Sequence, residues 1–152
     1  MTRRLVVDAS VVQAAGETHH PVSSACRNCL EAIRRICHRV VVTPEMRDEW
    51  DRHMSNFTRK WRRSMAARRK PLQLVPAADF SMSTEGLSEE DKATIEKDRC
   101  LLQAAFAADR IIITRDDALR SALAKMPRNA KLMASITWVN PVTDGVAAVE
   151  RL

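Results

Sequence analysis

Three short runs in this sequence carry no polar residue: Leu5-Val6-Val7, Val40-Val41-Val42 and Ile111-Ile112-Ile113. A strand with one wet face alternates apolar and polar residues. A run that is apolar throughout must be covered on both faces, which is the signature of a parallel sheet buried between helices. The segments between the runs supply those helices. Cys26, Cys29, Leu30, Ile33, Ile36, Cys37 and Val40 fall near one helical face, in a helix expected to start at Ser23 or Ser24 and reach about Arg39. Thr43-Pro44 provides an N-cap and a first-turn proline for a second helix. Its stripe is Met46, Trp50, His53, Phe57 and Trp61, and it is expected to continue or restart as far as Lys70, where Pro71 stops it.

Ser88-Glu89-Glu90-Asp91 is a capping pattern with acids in the first turn, opening a helix expected to run to Ala108. Leu72–Val75 and Ile136–Val139 read as further strands. Asp117 to Met126 reads as a short helix ended by Pro127, and residues 13–22 and 76–87 as loops. A last short helix is expected around Val146. The expected architecture is an α/β chain, a three-layer α/β/α sandwich around a central, mostly parallel sheet. With 152 residues it suits a single domain over 1–152, carrying a basic helical arm within 58–70 and a C-terminal tail over 140–152.

Charge is distributed unevenly. Lys and Arg total 25 against 19 Asp and Glu, a formal charge of +6. Arg59, Lys60, Arg62, Arg63, Arg68, Arg69 and Lys70 fall in one stretch without an acid. Without these seven, the chain is close to neutral. A nucleic-acid backbone is the expected partner of such a stretch, and Trp61 within it either stacks on a base or completes the core stripe. No apolar run approaches the roughly 20 residues that span a bilayer. Arg3-Arg4 leads directly into Leu5-Val6-Val7-Asp8, unlike a signal peptide. The expectation is a cytoplasmic chain with no membrane partner.

Four cysteines do not make a secreted disulfide scaffold. Cys26-x-x-Cys29 with Cys37-His38 invites a zinc reading, but the helical spacing sets the thiols beside Leu30 and Ile33, which fits buried cysteines. His53 is expected as a core histidine. Three widely spaced glycines cannot build a phosphate-binding loop.

The carboxylates carry the most information. Ile95, Leu102, Ala105 and Phe106 form one apolar stripe, and Asp98 falls within it. A buried unpaired carboxylate costs several kcal/mol, so something must hold it. Glu49 sits at the border of the stripe made by Met46 and Trp50. Asp8 follows the first apolar run directly, and Asp116 follows the third by two residues past Thr114. In an open parallel sheet, ligands bind at the carboxyl ends of strands, which is where these two acids fall. Four acids converging from four segments would be tolerated around a divalent cation, and all-oxygen donors suit Mg²⁺ or Mn²⁺. One or two such ions can activate water for phosphodiester hydrolysis. Separate structural roles are the competing expectation: Asp8 capping the next turn with Ser10, Asp98 paired with Arg34 or Arg35, Asp116 and Asp117 capping a helix.

Four passages, Leu-Val-Val-Asp8-Ala-Ser10, Val-Val-Val-Thr43-Pro-Glu-Met-Arg-Asp-Glu49-Trp, Lys97-Asp98-Arg-Cys-Leu-Leu-Gln-Ala-Ala and Asp109-Arg-Ile-Ile-Ile-Thr114-Arg-Asp116-Asp117, come in an order that resembles the PIN-domain nucleases, a family that includes the VapC-type toxins. The resemblance runs from Leu5 to about Val139. It implies Mg²⁺- or Mn²⁺-dependent cleavage of RNA, with Asp8, Glu49, Asp98 and Asp116 as metal-binding and catalytic acids. It also implies Asp117 assisting, and Ser10 and Thr114 orienting ligands behind them. The family's second acid usually sits a full turn or more inside its helix, which favours Glu49 over Glu45. A homodimer, and an antitoxin or inhibitor protein as partner, are further implications. The long basic stretch departs from the small toxins, which weighs on the toxin role more than on nuclease activity. The alternatives are a non-catalytic nucleic-acid-binding or assembly module on the same fold, and a phospho-acceptor domain. The last lacks the lysine expected at the end of a late strand.

Overall fold

The three apolar runs form the middle of a sheet. In the computed structural model, which describes residues 1–152, β1 (Arg4–Val7), β2 (Arg39–Val42) and β4 (Ile111–Ile113) lie side by side, with their valines and isoleucines buried. Two edge strands complete it, β3 (Gln73–Leu74) and β5 (Thr137–Val139). All pairings are parallel and the order is β3-β2-β1-β4-β5. The chain thus winds outward one way from β1 through β2 to β3, then returns to place β4 on the other flank of β1. The strand order reverses between β1 and β4, where the register pairs Val7 with Ile113.

The helices are α1 (Ala9–Ala14), α2 (Pro21–Ile36), α3 (Pro44–His53), α4 (Asn56–Ala67), α5 (Glu89–Lys97), α6 (Arg99–Phe106), α7 (Ala118–Ala124), α8 (Ala130–Ala134), α9 (Pro141–Asp144) and α10 (Val146–Glu150). α2 packs against α1, α4, α9 and α10. α6 packs against β1 and β4 and meets α3 and α5, and α5 meets α7. The result is the expected three-layer sandwich around one continuous core. None of the helices is long and apolar enough to cross a membrane.

Several boundaries differ from the sequence expectation, for local reasons. The first loop begins later, because α1 starts immediately after Asp8. α2 begins at Pro21 rather than at the serines: His20 caps it by accepting from Val22 N, and the proline takes the first helical position. It ends at Cys37, whose left-handed backbone (φ 70°) closes the helix. The helix from Pro44 breaks at Met54 and restarts from Ser55, whose hydroxyl accepts from Thr58 N at 3.1 Å. The break resets the buried stripe to Met46, Trp50, Met54, Thr58, Trp61 and Met65. His53, the last residue of α3, is exposed rather than in the core, and Phe57, beyond the break, is only half-buried. Trp61 is buried with its indole N–H donated to Leu30 O at 2.6 Å, so it cannot stack on a base and belongs to the core. The helix expected from Ser88 to Ala108 is interrupted at Asp98, which closes α5 and opens α6.

Candidate active site

Each of the four acids reaches the same end of the sheet by a different device. Asp8 extends β1 by one step: its N–H donates to Ile113 O at 2.9 Å, the last rung between β1 and β4. Its Oδ2 accepts two hydroxyl hydrogen bonds, from Ser10 at 2.7 Å and from Thr114 at 2.8 Å, leaving Oδ1 free of them. Thr114 ties the two strand ends together, because its Oγ1 also accepts from Asp116 N at 3.1 Å. Glu49 arrives through Trp50. The buried indole N–H donates to Val7 O at 3.0 Å, which pins α3 to the residue before Asp8. Asp98 arrives at the α5–α6 break, at the head of a helix laid on β1 and β4.

Asp8, Glu49, Asp98 and Asp116 line one pocket of about 170 Å³, together with Ser10, Gln13, His53 and Lys97. It opens beyond the carboxyl ends of β1 and β4, at the point where the strand order reverses, where open α/β sheets bind ligands. Its electrostatics are those of a negative cleft. The Asp98 carboxyl is pushed up to about 6, first by burial and then by the negative charge of Asp8, with smaller pushes from Asp116 and Glu49 against the pull of Lys97.

The competing structural roles fare unevenly. Asp98 has no arginine partner: Arg34 bonds Ser64 and lies 3.9 Å from Glu31, and Arg35 pairs with Glu150. Asp8 makes no side-chain cap bond to α1. Asp116 does cap, since its Oδ1 accepts from Ala118 N at 2.9 Å, and it lines the pocket as well. Asp117 is not brought to the pocket. It is exposed, and the Asn140 side-chain amide lies 3.4 Å from both its oxygens. Glu45 is exposed and does not line the pocket, whereas Glu49 is half-buried and does.

The donor set fits a hard divalent cation, being oxygen-rich, mutually repelling and open to one side. The coordination geometry is not assembled. No three Asp, Glu, His or Cys side chains stand close enough together to hold one ion, so binding would require the carboxylates to turn inward. The zinc pattern has no such grouping either. Cys26 and Cys29 are fully buried in the core, with the Cys29 thiol pushed up to about 12 by burial.

Sequence reasoning missed Gln13, His53, Lys97 and Arg115 as neighbours of the acids. His53 is one turn after Glu49, and Lys97 and Arg115 each precede an acid by one residue. Those adjacencies are the only signals the sequence carries for these three, and it carries none for Gln13. The basic stretch is not at the pocket. α4 starts beside α1, where Thr58 donates to Val12 O, and packs along α2; the stretch continues past its end to Lys70, whose Nζ donates to Cys37 O at 2.8 Å. Cys37 lies just before β2, so the stretch ends at the opposite edge of the sheet from the acids. Arg62 is tied to Asp51 at 2.6 Å, and Arg59 reaches the Asp51 carbonyl. Lys60, Arg63, Arg68 and Arg69 are exposed and form no ion pair. Neither a protein-family model nor a curated protein matches this chain.

Proposed function

We propose that this chain is a metal-dependent endoribonuclease, with Asp8, Glu49, Asp98 and Asp116 as the acids of its active site. One observation carries the reading: four carboxylates from four separate segments line a single pocket at the strand-order reversal, with no arginine or lysine paired to any of the four. That placement costs stability unless a cation occupies the pocket. A bound Mg²⁺ or Mn²⁺ would lower the pKa of a water and stabilise the oxygen leaving phosphorus. The protein's own part is to hold the ion through these four acids, with Ser10 and Thr114 fixing Asp8. Lys97 offers a charge to an incoming phosphate. RNA as the polymer rests on the PIN resemblance of the four passages, as do the homodimer and a toxin role with an antitoxin or inhibitor partner.

A second reading, a non-catalytic nucleic-acid-binding module on the same fold, is favoured by the missing coordination geometry. Purified protein incubated with mixed RNAs in Mn²⁺, and again with chelator, separates the two. The expected outcome is cleavage in Mn²⁺ that chelator abolishes and that Asp98→Asn lowers by a hundredfold or more. Equal degradation by wild type and Asp98→Asn would refute the nuclease reading. Metal-independent RNA binding with no cleavage would establish the second.

A further inference from the structure

Beside the acid pocket lies a second cleft of about 290 Å³, lined by Ser10, Arg115 and Asp116. It shares Ser10 and Asp116 with the first, so the two are continuous. Arg115 is exposed, yet its side chain is anchored: Nε donates to Ser10 O at 3.1 Å. The two terminal nitrogens make no hydrogen bond and no ion pair, although Asp116 and Asp117 follow immediately in sequence. A guanidinium held through Nε keeps its two-nitrogen edge available, the geometry that matches two oxygens of a phosphate. None of the cations of α4 lines this cleft or the acid pocket.

We propose that Arg115 binds a phosphate of single-stranded RNA in the cleft next to the acid pocket, setting the strand's position relative to the acids. This rests on the ribonuclease reading of that pocket. The Asp116 carboxylate on the shared wall repels a phosphate, so Arg115 supplies the attraction on that side. Its role is in substrate contact: loss of the charge raises KM and weakens binding, while the pocket acids stay in place.

The test uses a fluorescently labelled single-stranded RNA of mixed sequence and three proteins: wild type, Arg115→Lys and Arg115→Gln. Glutamine retains an N–H able to reach the Ser10 carbonyl but has no charge, so it separates phosphate contact from anchoring. Binding is measured in Ca²⁺ across a salt series, and cleavage kinetics in Mn²⁺. The expected order of affinity is Arg, then Lys, then Gln. The glutamine variant is about tenfold weaker, and its plot of log K against log salt is shallower by about 0.7, the loss of one phosphate contact. KM rises with little change in kcat. A methylphosphonate moved along the RNA should weaken wild type at one position and leave Arg115→Gln unaffected there. Glutamine binding as tightly as arginine would overturn the proposal, as would lysine and glutamine failing equally with a lowered urea midpoint. If wild type binds RNA but does not cleave it, the ribonuclease reading falls, and the affinity order still decides the role of Arg115. If wild type binds no RNA, both fall.

Discussion

Burial shifts two titratable groups, His38 and Asp98, in ways that bear oppositely on stability against pH. His38 is fully buried at the start of β2, and its Nδ1 accepts the Arg3 backbone N–H at 2.9 Å, which requires the neutral ring. Nε2 has no hydrogen-bond partner. Burial pushes the imidazole below its ordinary value of 6.5, against a smaller opposing pull from the Val149 backbone, and the N-terminal amine, Arg3 and Lys70 push the same way as burial. Below about pH 6.5 the unfolded chain therefore binds a proton that the folded chain resists. Stability conferred by neutral His38 is complete above that pH and is lost as pH falls. Asp98 acts in the opposite sense, because its carboxyl is raised to about 6 and takes up a proton in the folded state first. The difference between proteins isolates the histidine: urea midpoints between pH 7 and pH 5 should fall less for His38→Asn than for wild type. Parallel pH profiles would remove His38 from the account. Asp98 and His38 also show what a sequence reveals about single residues. Asp98 was legible because an acid interrupted an apolar stripe. The burial of His38 depends on α10 folding back from more than a hundred residues away, which no local pattern records.

Among the elements, the α3–α4 junction holds the acid-bearing helix in place. Ser55 serves it three ways: its hydroxyl caps α4, the same oxygen donates to Ala15 O at 2.5 Å, and its backbone N–H donates to Val12 O. One residue thus joins α4 to the end of α1, the helix that follows Asp8. Ser55→Ala removes the cap and the tie to Ala15 together, and should cost about 1–2 kcal/mol by urea denaturation. A change within a few tenths would mean that solvent replaces both bonds. This junction marks the limit of periodicity as a guide. Strand positions followed from the apolar runs, since nothing else buries three consecutive valines or isoleucines on both faces. Helix ends did not: the breaks at Met54 and Asp98 contain neither glycine nor proline, and the apolar spacing continues across both. A stripe extended through a break assigns later residues to the wrong face, as with the half-buried Phe57; His53, the last residue of α3, faces the pocket because Met54 rather than His53 follows Trp50 in the buried stripe.

At the scale of the whole molecule, the acid pocket and the end of the basic stretch lie at opposite ends of the strands. The acids gather beyond β1 and β4, while α4 carries its unpaired cations towards the beginning of β2. A helix of twelve residues is about 18 Å long, so the last arginines cannot touch a phosphate that is also at the acids. If both ends engage one RNA, the strand must pass along the molecule, and the contribution of α4 must depend on RNA length. Arg62 is a poor probe of this, because its loss also breaks the pair with Asp51 that joins α4 to α3. Lys60, Arg63, Arg68 and Arg69 are better, being exposed and free of ion pairs. Replacing these four by Ala should weaken binding of a long single-stranded RNA and flatten its salt dependence by as much as about 3 in log–log slope. A tetranucleotide should bind as before, because it reaches only the cleft of Arg115 and the acid pocket. Equal weakening of both RNAs would mean that these charges act through the overall field of the protein rather than by contact. No weakening of either would reduce α4 to a solvated face.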